Sequence, residues 1–387
     1  MGKKNILFWP GWWYPSRIDS LSGIFIKRHA EAVSIYSNVI VLYITSDSNL
    51  KNKKIELEFS EERGIKTLIV YYGFSNRFAL INKITNFIGY INAGKIGFNY
   101  LKEMKIKIDL IHCHVNPPFA QVLFLFTRFK KIPYIFSEHW SGYLKESGSY
   151  KGILRKVLTR IFVKKAKYVT TVSENLKRNM IRHKLYGKYA VVPNVVDTNL
   201  FSLSKNNSKK IRFIHVSGFS KLKNVPGIIR AVFQLSKVRN DFELYLVGDG
   251  ETKKESELIA EKFGLKGRYI FFVGGVDTYG VANEMKKSDI FVLFSDYENS
   301  PCVIAESLSC GLTIISTDVG GVSELVNSEN GILVVPRDEK KLFEALNIIL
   351  NSLGKYDRSK IRQFAVDTFS YKVAGGKFLQ IYEESVT

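Results

Sequence analysis

The stretch I-F-V-L-F-S-D-Y-E-N-S-P-C-V-I-A-E-S-L-S-C-G, Ile290 to Gly311, decides how this chain is read. Ile290 to Phe294 is a short apolar run of strand length, and Asp296, Asn299 and Ser300 after it favour a turn. Ser300 reads as an N-cap, Pro301 as the first helical residue and Gly311 as the stop. A helix entered in this way leaves backbone N–H groups around Asn299 to Val303 without intrahelical partners, with the positive end of the helix dipole behind them, and that suits a phosphate. Glu298 precedes the helix and Glu306 lies inside it. The pair is placed to accept hydrogen bonds from hydroxyls on either side of that phosphate, a sugar and a ribose.

Working outward, Leu312 to Ser316 is a second buried-type strand, followed by D-V-G-G-V-S-E, in which Gly320 and Gly321 permit a tight turn with close backbone approach. Upstream stand V-G-D-G at Val247 to Gly250, V-G-G-V at Val273 to Val276 and K-S-D-I at Lys287 to Ile290. In this order the segment from about Ile211 to Val335 resembles the nucleotide-binding domain of the family 4 retaining glycosyltransferases. The likeness extends to W-Y-P at Trp13 to Pro15, S-G-I-F at Ser22 to Phe25, E-H-W at Glu138 to Trp140, V-S-E at Val172 to Glu174 and V-P-N-V-V-D at Val192 to Asp197.

Apolar strand-like runs alternate with helical patterns, for example at Asn5 to Phe8, Val39 to Ile44, Leu110 to His114, Tyr134 to Phe136, Tyr168 to Val172, Phe213 to Val216 and Glu243 to Val247. That alternation predicts α/β structure with doubly wound parallel sheets. A chain of 387 residues exceeds the usual single core, so two domains are expected. A polar break near Phe201 to Ile211 suggests residues 1–203 as the first and 204–367 as the second. The resemblance implies the GT-B fold: two Rossmann-like domains facing a cleft, with a final helix, about 368–387, returning to the first. Lys131 to Trp140 would run from sheet core toward that cleft.

Three cysteines, Cys113, Cys302 and Cys310, have no metal-like spacing and read as core residues of a reducing compartment. His112-Cys113-His114 alternates across a strand, with the cysteine opposite the histidines, so no metal site is expected there. The basic start, M-G-K-K-N-I-L-F, has too short an apolar run for a signal peptide, and no run approaches the ~20 apolar residues that span a bilayer. A cytoplasmic protein is expected, at most peripheral on the inner face of the membrane.

The net charge of +21 is uneven: residues 1–200 carry 32 basic and 13 acidic side chains, whereas residues 201–387 carry 25 and 23. Between Lys151 and Lys184 there are eleven bases and one acid. There Ile153, Leu154, Val157, Leu158, Ile161 and Phe162 recur at helical spacing among Arg155, Lys156, Arg160, Lys164 and Lys165. Two readings fit: an apolar stripe facing the core under a solvated basic face, or a basic amphipathic helix on anionic lipid. Nucleic acid is the rival anionic partner, but the chain has no base-reading motif and its aromatics sit in apolar runs.

Glycosyl transfer must stabilise a departing nucleoside diphosphate. The chain has no D-x-D pair to hold a divalent metal, so metal-independent chemistry, with no cofactor beyond the nucleotide-sugar co-substrate, is expected. In S-G-F-S-K-L-K-N, Lys223 matches the family's lysine at the diphosphate, while Phe219 follows Gly218 where an arginine is usual, leaving Lys221 as the second cation from a shifted position. The resemblance further implies that Glu298 holds the transferred sugar and Glu306 the ribose, with amides of Asn299, Ser300, Pro301 and Cys302 around sugar and phosphate and backbone near Val276 at the base. Gly23 would admit the donor closely, and His139 would face its sugar. Both glutamates come from one local segment, poor geometry for a hydrolase whose acids flank the scissile bond. The expected activity is a retaining transfer to a glycan or lipid-linked acceptor in capsular, exopolysaccharide or O-antigen assembly. The alternatives are a sugar-nucleotide epimerase of similar architecture and a basic nucleic-acid-binding protein with a vestigial sugar-nucleotide site.

Overall fold

The computed structural model describes residues 3–50, 55–73, 79–115, 117–118, 120–122, 132–203 and 210–386, with backbone alone for 79–84. Lys131, residues 204–209 of the polar break and the first two residues of the basic start lie outside the described residues. The chain forms two compact units, Met1–Val195 with Tyr371–Thr387, and Val196–Ser370. The division falls upstream of the expected 203/204 boundary because the residues between belong to the second core. Phe201 is fully buried there, and the Arg362 guanidinium donates to the carbonyls of Thr198 and Phe201 at 2.9 Å each.

The first unit runs β1 (Asn5–Pro10), α1 (Ile24–Ser34), β2 (Asn38–Ser46), β3 (Ile55–Glu62), β4 (Ile65–Tyr72), α2 (Ala79–Glu103), β5 (Leu110–His114), β6 (Tyr134–Glu138), α3 (Ile153–Lys165), β7 (Tyr168–Thr171), α4 (Glu174–Arg182) and β8 (Tyr189–Val191). The sheet order is β3-β4-β2-β1-β5-β6-β7-β8. β1 is apolar on both faces because both are covered, Leu7 and Trp9 entering one core cluster and Ile6 and Phe8 the other. All pairings are parallel except β3 with β4, a departure from the expected purely parallel sheet. Arg63 and Gly64 both take positive φ, 49° and 76°, the two-residue hairpin turn that matches strand twist. Glu56, Glu58, Glu61 and Glu62 then make the edge strand β3 acidic and exposed, which blunts it against pairing with other chains.

The second unit runs β9 (Ile211–Val216), α5 (Val225–Ser236), β10 (Phe242–Val247), α6 (Lys253–Lys262), β11 (Ile270–Gly274), α7 (Thr278–Lys286), β12 (Ile290–Leu293), α8 (Cys302–Ser309), β13 (Thr313–Thr317), β14 (Gly331–Val334), α9 (Glu339–Ser352) and α10 (Arg358–Phe369). Its all-parallel order, β11-β10-β9-β12-β13-β14, is the doubly wound order 3-2-1-4-5-6. The direction of winding reverses between β9 and β12, so the loops leaving those two strands open a crevice at their carboxyl ends.

The last helix, α11 (Tyr371–Val386), belongs to the first unit. Tyr371 donates to Glu31 at 2.8 Å, the Tyr382 hydroxyl lies 2.7 Å from His112 Nδ1, and Gly375 brings the helix so close to α1 that a Cβ would stand 2.2 Å from the Ala32 carbonyl.

Candidate active site

The loops after β9 and β12 meet at the reversal point of the second sheet. Leu222 accepts a hydrogen bond from the Asp296 amide at 2.9 Å, which fixes the Lys221–Lys223 turn against the Ser295–Ser300 loop. This brings Lys223 Nζ to 2.5 Å from Glu298 Oε1, uniting two residues the sequence placed 75 positions apart. Glu298 is only 8% exposed. Its position is also held from behind: Gly320, at φ 58°, approaches so tightly that a Cβ would lie 1.7 Å from the Glu298 carbonyl, and Gly321 donates to the Asn299 carbonyl at 2.9 Å. The close-approach reading of this glycine pair is thus explained by contact with the acidic loop.

The helix start differs by one residue from the expectation. Pro301 is extended, with φ −69° and ψ 119°, and occupies the cap position, so α8 begins at Cys302 and Ser300 lies before it. Pro301 has no side-chain donor or acceptor with which to cap this helix, and the positive end of the helix dipole lies at Cys302. Glu306 is buried on the second turn and Asn299 is buried in the preceding loop. Gly311, at φ 72°, ends the helix as expected.

Lys221 is exposed and forms no ion pair among the described residues, while its amide donates to Glu251 at 2.8 Å. Phe219, the residue in place of the usual arginine, is fully buried in the core. Val276 is exposed in the loop after β11, on the same carboxyl edge of the sheet.

Sequence reasoning missed two supports of this loop. His215 at the end of β9 is buried, its Nδ1 2.8 Å from the Val292 carbonyl and its Nε2 2.7 Å from Ser217 Oγ. The carbonyl accepts only, so Nδ1 carries the proton and Nε2 receives the Ser217 hydroxyl; burial pushes its pKa down to about 4, keeping it neutral. Gly248 and Gly250, at φ 135° and 149°, let the V-G-D-G loop lie directly on Ser217 and Phe219. The V-G-D-G pattern was the legible trace of that packing.

In the first unit, Gly23 caps α1 in the left-handed region at φ 67°, and a Cβ there would stand 2.4 Å from the Trp13 carbonyl carbon. The close approach visible in the structure is therefore to the chain's own W-Y-P loop. His139 follows β6 and is partly buried. Its amide and that of Trp140 both donate to Glu138 Oε1, at 2.8 and 2.9 Å. Burial raises the Glu138 carboxyl from 4.5 to about 7, opposed by those two bonds. Burial and the neighbouring His29 hold the His139 imidazole well below its ordinary value. Cys113 faces the opposite core cluster from His112 and His114, as alternation required.

On α3 Thr159, Phe162 and Val163 are buried, whereas Ile153 and Leu154 are 84% and 70% exposed and Val157 and Ile161 are exposed too. Of the apolar stripe, Phe162 enters the core and most of the rest is left uncovered by it. Beside it, Trp12, Phe87, Pro118, Leu154 and Leu158, with the Arg155 guanidinium 5.1 Å over the Trp140 ring, bound a cavity of about 510 Å³. No helix among the described residues is long and apolar enough to cross a membrane.

The "Glycosyltransferase Family 4" model matches residues 64–200, and "Glycosyl transferases group 1" matches residues 197–364. An uncharacterized glycosyltransferase of Methanocaldococcus jannaschii is 29% identical over 76% of this chain and 80% of its own. Among solved structures, the sucrose-phosphate synthase of Thermosynechococcus elongatus superposes with a TM-score of 0.74 at 16% identity, covering 99% of both chains. HepE of Anabaena, solved in complex with UDP, superposes with a TM-score of 0.70 at 18% identity, covering 98% of this chain and 99% of its own. These likenesses show the expected GT-B fold and lend nothing to the epimerase or nucleic-acid readings.

Proposed function

Since the chain belongs to the family 4 glycosyltransferases, we propose that it moves a sugar, with retention, from a nucleoside-diphosphate sugar to a lipid-linked glycan acceptor. The observation that carries this reading is the Lys223–Glu298 pair at the reversal point of the second sheet, next to the start of α8. An ammonium has three donors, so Lys223 can keep Glu298 and still bind a diphosphate oxygen. As the bond from the anomeric carbon to the β-phosphate oxygen breaks, charge grows on that phosphate while the carbon becomes cationic. Lys223 and the positive end of α8 meet the first charge without reorganising, which is where such a site gains most. Glu298 accepts from the sugar's hydroxyls and fixes its ring, and Glu306 accepts from the ribose. The acceptor hydroxyl attacks from the face the phosphate leaves, and its proton passes to the departing phosphate, so charge balances without an external base. No divalent metal is needed at the diphosphate, because lysine and helix dipole supply the positive charge that a D-x-D-bound ion would.

The complex of HepE with UDP supports a nucleoside-diphosphate donor. For the acceptor, the support is the exposed apolar stripe of α3 among five cations, beside the apolar cavity at Trp12 and Leu154. Such a face suits a lipid carrier presented at an anionic membrane, where each nearby cation contributes about 1 kcal/mol. Surface polysaccharide assembly on the cytoplasmic leaflet, by a peripheral protein, is the setting that follows. The test is transfer from a panel of nucleotide sugars to a polyprenyl-diphosphate-linked sugar, with and without chelator. Chelator-insensitive transfer with anomeric retention is expected; inversion, or transfer abolished by chelator and restored by Mg²⁺ or Mn²⁺, overturns the reading.

A further inference from the structure

Three histidines of the first unit converge from separate elements: His29 from α1, His114 from the end of β5 and His139 from the turn after β6. One ring nitrogen of each lies within 4.8 Å of the other two. His114 Nδ1 stands 3.3 Å from His139 Nε2. Two imidazole nitrogens on a tetrahedral zinc ion, each about 2.0–2.1 Å from the metal, stand about 3.3 Å apart. The ring centroids are 5.2, 5.5 and 6.0 Å apart, with the His114 and His139 rings inclined by only 24° to one another.

His29 supplies the independent observation. It is 1% exposed, and its Nε2 lies 3.2 Å from the Pro193 carbonyl. That oxygen only accepts, so the proton sits on Nε2 and Nδ1 holds a lone pair. Nδ1 is buried and has no hydrogen-bond partner among the described residues. A ring whose distal N–H is fixed by a carbonyl while its other nitrogen points lone pair outward is how proteins orient a metal-binding imidazole. An ordinary hydrogen bond between His114 and His139 accounts for one contact and leaves His29 Nδ1 unexplained. Burial keeps all three rings neutral at ordinary pH, the form that ligates. The adjacent His112 is not part of the set, because Tyr382 and Ser137 occupy its two nitrogens at 2.7 and 2.6 Å.

We propose that His29, His114 and His139 form a binding site for one divalent cation of the zinc class. Three neutral nitrogens without a carboxylate suit zinc, cobalt or copper, and not magnesium or calcium, which take oxygen. The site is thus a different kind of centre from the diphosphate-bound metal that the missing D-x-D argues against, and it does not rest on the transferase reading. The ion would tie α1 to the carboxyl ends of β5 and β6, beside the β1–β5 pair at which the first sheet's winding reverses, and leave a fourth position for water.

The test uses the full chain, freed of metal by chelator and dialysed, then titrated with Co²⁺ and followed by its visible d–d bands. One equivalent giving strong four-coordinate bands, displaced by Zn²⁺ and accompanied by a rise in unfolding temperature, is expected. His29→Asn should weaken binding by about tenfold or more, whereas His183→Asn, at a histidine bonded to the Tyr143 carbonyl, should leave it unchanged. Should His29→Asn not fold, counting coordinated imidazoles by pulsed EPR on the Cu²⁺-loaded wild type decides the matter: three supports the site, one or none overturns it. Absence of four-coordinate Co²⁺ bands, or equal binding by folded His29→Asn, also overturns it.

Discussion

Replacing Lys223 with alanine separates the two things the structure asks of that residue. In the fold it pairs with Glu298 at 2.5 Å, with 21% of the lysine side chain and 9% of the glutamate side chain exposed. Removing one partner of a fully buried pair costs about 3–5 kcal/mol, but solvent reaches the lysine side here, so about 1–3 kcal/mol is the expected loss of stability. In turnover, losing a preorganised partner of developing charge costs about 10²–10³-fold, or about 2.7–4 kcal/mol. The second substitution Glu298→Gln on top of Lys223→Ala removes the stranded carboxylate. It should therefore recover most of the lost stability and none of the rate. Lys223→Arg keeps a charge but changes its shape and reach, and should fall between. Thermal unfolding and steady-state kinetics with the best donor of a nucleotide-sugar panel read the two effects separately. A folded Lys223→Ala enzyme losing less than tenfold in kcat/KM, about 1.4 kcal/mol, would refute the role given to this lysine.

Three further outcomes are expected. Glu138 has a folded pKa of about 7 against an ordinary 4.5, so the unfolded chain loses its proton first and this group's contribution to stability falls as pH rises from about 4.5 to 7. Glu138→Gln should therefore gain stability over the wild type across that window, by roughly 3 kcal/mol at its upper end, as measured by denaturant unfolding at stepped pH. The depressed histidines, His29 among them at about 4, act oppositely and should dominate the loss of stability below pH 6.5 in both proteins. Gly320→Ala adds a Cβ 1.7 Å from the Glu298 carbonyl at a φ of 58°, so it should displace the acidic loop and weaken nucleoside-diphosphate binding by about tenfold or more in calorimetry. Finally, Ile153→Asp with Leu154→Asp should abolish flotation with anionic vesicles while leaving the unfolding temperature nearly unchanged, because both side chains are exposed.

The local frame of the candidate site was legible where chemistry constrains residue type. Proline at a helix start and paired glycines that only a close approach requires both have structural counterparts, the helix start displaced by one residue at Pro301. The parallel strands were legible because a strand covered on both faces must be apolar throughout. The β3–β4 hairpin was not, since Glu56, Glu58, Glu61 and Glu62 hide its alternation and its turn is Arg-Gly without the usual asparagine or aspartate. The exposure of α3 was equally hidden, because an amphipathic stripe says that a face is apolar without saying what covers it. His29 drew no notice, as nothing local in R-H-A-E shows that its partners lie on a strand and in a turn 85 and 110 positions further on.

The most direct test of the central claim is a crystal of the full chain soaked with a nucleoside diphosphate in the presence of chelator. Diphosphate oxygens within hydrogen-bond reach of Lys223 Nζ and the amides at the start of α8, with ribose hydroxyls on Glu306 and no metal between, are predicted. A nucleotide bound away from these groups, or bound only when a divalent cation is restored, would contradict the account.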